Sequence, residues 1–202
     1  MTQFSIARLQ LDLSSQDNVS YIRTEIDKLM SRFPWVNMIV LGNQATYSDN
    51  IEHARNTPDE VERLYCDVAS IHGVWLIPGS LFKQRMDIIF NTLPVINSAG
   101  EVVSRYSKAF TLAPYDTGFS SAEDLLEFDI PEAGRCNISI TYDPWLPETS
   151  HRVAWVSGKG SISPVCNHVV QDDADLTELR ANMSAEKVFF FSIDAAGTLA
   201  YG

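Results

Sequence analysis

Residues 135–148, which read Arg-Cys-Asn-Ile-Ser-Ile-Thr-Tyr-Asp-Pro-Trp-Leu-Pro-Glu, constrain the chain more tightly than any other stretch. Apolar or small side chains at Cys136, Ile138 and Ile140 alternate with Asn137 and Ser139, the period of a strand with one buried face. Asp143 followed by Pro144 then supplies an N-cap and a first-turn proline, so a strand must end near Thr141 and a helix begin. Such a turn presents the Thr141 side chain and the next backbone N–H groups at the positive end of a helix, the geometry shared by nucleophile elbows and anion sites. On spacing alone, it is a strand-to-helix connection and no more.

Other segments follow the same grammar. Phe4, Ile6 and Leu9 suggest a first strand. From Asp17, the residues Val19, Ile22, Ile26, Leu29, Met30 and Phe33 recur at helical spacing until Pro34. Met38–Leu41 is a continuous apolar run of the kind that forms a strand covered on both faces. Thr57-Pro58-Asp59-Glu60 forms a capping box that opens a helix carrying Val61, Leu64, Tyr65 and Val68 and ending at Gly73, with a further strand at 74–77. The runs 88–96 and 101–105 flank Asn97-Ser98-Ala99-Gly100, a hairpin signal, and the second run closes on Tyr106-Ser107-Lys108. Residues 125–130 lead into the strand before Thr141, segments 161–165 and 188–193 read as strands, and 144–157 and 172–187 as helices. Helices alternating with buried strands argue an α/β layered domain.

With 202 residues, 45% of them hydrophobic, the chain can bury one good core and reads as a single domain over 1–202. Fifteen basic against 26 acidic residues leave a net charge of -11, which argues against nucleic acid or an anionic bilayer as a partner. Met1 to Gln16 lacks the regions of a signal peptide, and no apolar run is long enough to span a bilayer, so a cytoplasmic setting is expected. Cys66, Cys136 and Cys166 are odd in number and widely spaced, which suggests neither a disulfide framework nor a zinc site. No metal or cofactor is expected.

The wording of three segments resembles the nitrilase, or carbon-nitrogen hydrolase, superfamily, in the family's order and across essentially the whole chain. Gly134, Arg135, Tyr142, Asp143, Pro147 and Glu148 match the segment that bears the family's nucleophilic cysteine, with Thr141 standing in the cysteine's place. Met38-Ile39-Val40-Leu41-Gly42-Asn43 resembles the strand that ends in the general-base glutamate, with Asn43 in its place. Phe90-Asn91-Thr92, Gly100-Glu101-Val102 and Arg105-Tyr106-Ser107-Lys108 resemble the hairpin ending in the catalytic lysine, which is retained as Lys108. Asp116 falls where many members carry an assisting glutamate, and Tyr142 falls at a substrate-binding position. Arg180-Ala181-Asn182 and residues 189–197 resemble the late helix and strand.

The resemblance implies an αββα sandwich of two mixed β-sheets with outer helices, cut short at the C-terminus. Residues 43, 108 and 141 would then lie at adjacent strand ends, and the uncovered edge would favour homo-oligomers. It also implies chemistry that this sequence has altered. In the family a thiolate attacks, a carboxylate carries protons and an ammonium stabilises the oxyanion. Threonine is scarcely ionised near neutral pH, and Asn43 cannot take its proton. Outside the resemblance, Lys108 would be a solvated lysine, Asn43 and Thr141 turn residues, and Cys136 a core residue.

Three functional readings follow. The first is a catalytically degenerate protein that binds a small amide or nitrile ligand, or serves as a scaffold. The second is a hydrolase of small amides or nitriles using Lys108 with Thr141, or with a displaced Cys166 beside His168. The third is a doubly wound nucleotide-binding domain, which the lack of a glycine-rich phosphate loop opposes.

Overall fold

The computed structural model describes residues 4–13, 17–47, 51–52, 58–109, 111, 118–122, 126–131, 134–138, 140, 161–164, 190–193 and 199–201. The helices expected at 144–157 and 172–187 lie outside the described residues.

One sheet is built on Met38–Leu41 (β2), four apolar residues buried on both faces. Ile6–Leu9 (β1) and Trp75–Ile77 (β3) flank it in parallel. Ile39 and Leu41 face the amphipathic helices Val19–Arg32 (α1) and Pro58–His72 (α2). Met38 and Val40 face the other way. In α1 the stripe Ile22, Ile26 and Met30 is buried, whereas Phe33, just past the last turn, is 40% exposed. In α2 the buried face is Val61, Tyr65, Val68 and Ala69, and Leu64 is 39% exposed, so the apolar stripe is narrower than the sequence suggests. Gly73 ends α2 at φ 63, and the Val74 N–H donates to the Ala69 carbonyl.

The strand Leu81–Arg85 (β4) has no counterpart among the sequence expectations. Only Leu81 and Phe82 are buried, and its outer end runs into Lys83, Gln84 and Arg85, so alternation is too brief to register as a strand. The partner makes it a strand: Ile88–Ile96 (β5) pairs Thr92 with Leu81 and Ile88 with Arg85. The same edge of β5 reaches β3 through Leu76 opposite Ile96. Pro94, which has no N–H to contribute, lies opposite the break between β3 and β4. Val102–Ser107 (β6) takes the other edge of β5, completing a six-stranded mixed sheet. The hairpin joining them turns as expected at Asn97, whose Oδ1 accepts the N–H groups of Ala99 and Glu101. Glu62 of α2 holds this hairpin through a two-pronged pair with Arg105.

The second sheet has five strands in the order β11-β10-β9-β8-β7. Leu126–Ile130 (β7) and Gly134–Ile138 (β8) form an antiparallel hairpin. Ser161–Pro164 (β9) and Phe190–Ile193 (β10) continue in parallel, and Leu199–Tyr201 (β11), which the sequence reading did not place, closes the order antiparallel. Phe128, Ile130, Cys136, Ile138 and Ile140 meet Met38, Val40, Trp75, Ile77, Leu93, Val95 and Tyr106 in a core between the sheets, with Trp75 stacked on Phe128 at 6.2 Å. The described part is thus a helix layer on one mixed sheet, which lies face to face with another. Among the described residues no helix is long and apolar enough to cross a membrane.

Two glycines at the end of β2 and β3 carry different constraints. Gly79 sits at φ 82, and a Cβ there would lie 2.0 Å from the Gly42 carbonyl oxygen, whereas a Cβ on Gly42 would meet nothing within 4 Å. Gly79→Ala should therefore cost about 3 kcal/mol or more, from backbone strain together with a backbone clash, and Gly42→Ala less than about 1 kcal/mol. Urea unfolding of the two variants checks this; equal midpoints would remove the close approach of the two strand exits.

Candidate functional site

The exits of β2, β3 and β6 share one end of the first sheet, because β6 runs antiparallel to β5, which runs antiparallel to β3. The segments that follow carry the candidate residues. Asn43 opens the turn after β2, and Gly79-Ser80 follows β3 with Gly79 pressed on Gly42. Lys108 comes directly after β6.

The turn bearing Asn43 is fastened from behind. Asn18 precedes α1, yet its side chain makes no cap; it donates instead to the carbonyls of Ala45, at 3.2 Å, and Thr46, at 3.3 Å. Asp17 supplies the helix-end hydrogen bond through Val19 N–H. The Thr46 hydroxyl shares a 2.8 Å hydrogen bond with the Tyr65 hydroxyl, and both groups are buried. Burial pushes the Tyr65 phenol well above its usual range, so it stays neutral. With α1 and α2 both gripping the turn, Asn43 is held at 5% exposure. The sequence contained part of this signal in Tyr65, a polar group at a core-facing helix position.

Lys108 is 1% exposed, contrary to the ordinary expectation for a lysine after a strand. Its N–H donates to the Asn91 carbonyl at 2.8 Å, and its own carbonyl accepts the Ala122 N–H at 3.0 Å. The chain beyond Lys108 comes back across β5, with the Ser120 N–H on the Ile89 carbonyl and Phe119 against Phe82 at 5.3 Å. The lysine backbone is thereby clamped from both sides.

Asn43 and Lys108 reach the same end of the sheet, but not adjacent strands: β3 and β5 stand between β2 and β6. This corrects the expectation of adjacent strand ends for these two, and its cause is that β5 inserts between β3 and β6. Thr141, Tyr142, Asp116 and Cys166 lie outside the described residues. Strand β8 ends at Ile138, and Ile140, the last described residue before Thr141, is fully buried in the core between the sheets.

Two further polar residues occupy this end of the sheet. Ser80 and Asn91 are 0% and 3% exposed. Sequence reading gave them no role, although an asparagine inside the apolar run 88–96 was a visible anomaly. Thr92 beside them points to the opposite face and shares a hydrogen bond with Ser107.

Cys136 is buried in the core between the sheets, and burial, with the Asp129 carboxylate adding to it, lifts its thiol to about 11. It is a packing residue, as its strand position suggests. In the folded chain at pH 8 it should react with iodoacetamide about 200-fold more slowly than a free thiol, accelerating as the pH approaches 11. The raised thiol also means that the stability it contributes is present below about pH 8.5 and is lost as pH climbs toward 11. Peptide mapping of the alkylated protein tests the first point; rapid native labelling of Cys136 at pH 8 would contradict the packing role.

No sequence-family profile matches the chain. Comparison with solved structures does find matches. Nit3 of Saccharomyces cerevisiae, a member of branch 10 of the nitrilase superfamily, superposes with a TM-score of 0.82 at 20% identity, over 95% of this chain and 75% of that one. A carbon-nitrogen hydrolase from Helicobacter pylori G27 gives 0.80 at 18%, over 95% and 73%. A mutant of the amidase from Nesterenkonia sp. AN1, in complex with butyramide, gives 0.76 at 14%, over 98% and 80%. Two mixed sheets face to face, helices on the outer side of the first and this degree of superposition lead to one conclusion: the chain has the fold of the nitrilase, or carbon-nitrogen hydrolase, superfamily.

Proposed function

We propose that this chain is a nitrilase-fold protein that has lost carbon-nitrogen bond hydrolysis and binds a small amide at the strand ends bearing Asn43 and Lys108. The observation that carries the reading is the burial of these two side chains, at 5% and 1% exposure, on the same end of the sheet. A buried lysine has three donors and a buried carboxamide both donors and an acceptor, so each can serve a ligand's polar head in addition to its partners in the fold. The butyramide complex of the Nesterenkonia amidase mutant supports an amide as the ligand class.

The chemistry follows from the residue types. Lys108 can donate to an amide carbonyl, and Asn43 can both donate and accept hydrogen bonds, so binding needs no change of protonation. Hydrolysis needs a nucleophile and a base. An alcohol at Thr141 would have to be deprotonated by a residue able to hold the proton, and a carboxamide at Asn43 cannot. Removing the nucleophile of a hydrolytic triad costs on the order of 10⁶ in turnover, and an oxyanion-stabilising group alone does not recover it.

Because such groups act as a unit, restoring one should achieve little. Thr141→Cys without a base, or Asn43→Glu without a thiol, should leave reactivity near the starting value. In the double variant the thiol at residue 141 should alkylate about tenfold or more faster than in Thr141→Cys alone. Timed iodoacetamide labelling of the three variants measures this. Residue 141 labelling equally fast whether or not residue 43 is glutamate would speak against a shared site.

A further inference from the structure

The candidate site has two polar groups that the fold itself leaves unsatisfied. Ser80 Oγ and Asn91 Oδ1 are buried and have no hydrogen-bond partner among the described residues. More than nine in ten buried polar groups in folded proteins are paired, so two neighbouring exceptions call for an explanation. They are neighbours in the sheet: Phe82 is the strand partner of Asn91, and Ser80 lies two residues before Phe82. Asn91 is also two residues before Leu93, whose side chain lies in the core between the sheets, so its amide emerges on that inner face at the sheet's end. Lys108 bonds through its backbone to the same Asn91, two residues beyond the inner-facing Tyr106.

We propose that Ser80 and Asn91 are ligand-binding residues of this site, with Asn91 Oδ1 accepting an N–H of the bound amide and the Ser80 hydroxyl bonding to the same polar head. The proposal rests on the amide-binding reading and sharpens it to a specificity. Asn91 Oδ1 is an acceptor in need of a donor, and a primary carboxamide has two N–H groups to give. A carboxylate has none, and neither has an N,N-dialkylated amide. A site with a buried acceptor therefore selects the ligand that satisfies it and rejects isosteres that leave it unpaired.

This assignment makes an unusual joint demand on stability and binding. A residue held for a structural hydrogen bond destabilises the free protein when replaced by an apolar isostere, whereas a residue already unsatisfied does not. The test uses the full chain and its variants Asn91→Leu and Ser80→Ala, titrated with butyramide, N,N-dimethylbutyramide and butyrate by two-dimensional NMR, with thermal unfolding of each free protein. The expected result has four parts. The unmodified chain binds butyramide at least about tenfold more tightly than the other two probes. Each substitution weakens butyramide about tenfold. Asn91→Leu narrows the gap between butyramide and its dimethyl analogue. Both free variants unfold at or above the temperature of the unmodified chain.

Unchanged butyramide affinity in both variants would overturn the role of Ser80 and Asn91 while leaving the amide site standing. A fall of more than about 5 °C in the unfolding temperature of free Asn91→Leu would overturn it too, by showing that the amide already has a structural partner or a buried water. Absence of butyramide binding by the unmodified chain would remove the amide-site reading and this inference together.

Discussion

Burial of β2 on both faces is the constraint from which the rest of the structure follows. Its four residues have no polar face to give to water, so one side must be covered by α1 and α2 and the other by a second sheet. Fully burying each such side chain is worth roughly 1.5–3 kcal/mol, which makes both coverings hard to dispense with. Once the strand is enclosed laterally, its only outlet is its end. The turn there begins with Asn43 and is tied to Asn18 and Tyr65, one residue from the region of each covering helix.

That arrangement explains which parts of the fold could be read in advance. Ile22, Ile26 and Met30 repeat at helical spacing because α1 has one wet and one dry side, and the pattern survives in the sequence. Gly73 and the Asn97–Gly100 turn are local devices that specify themselves. β4 is different: Leu81-Phe82-Lys83-Gln84-Arg85 becomes a strand because β5 offers it an edge, a fact about pairing that no local pattern carries. Phe33 and Leu64 fit the helical period yet remain partly exposed, since the buried stripe is set by how closely the helices approach the sheet.

The candidate site was legible in a different way. The order of the Asn43, Lys108 and Thr141 segments pointed to one end of the fold; Asn43 and Lys108 follow strands that exit at one end of the first sheet, and Thr141 lies outside the described residues. Composition gave no hint that Lys108 would be enclosed: the chain returns beside it, with the Ala122 N–H on the Lys108 carbonyl and Phe119 against Phe82, and no local pattern carries such a return. Ser80 escaped notice because a serine after Pro-Gly looks like any turn residue. It is buried beside the close approach of Gly79 to Gly42, a contact between residues 37 apart in the chain.

In the function proposed above, binding survives where hydrolysis does not. Ammonia release from butyramide, measured at ligand concentrations that saturate the unmodified protein, tests it most directly. The account predicts release no faster than in buffer alone while the ligand is bound. Release that scales with protein concentration and disappears in Thr141→Ala would contradict it.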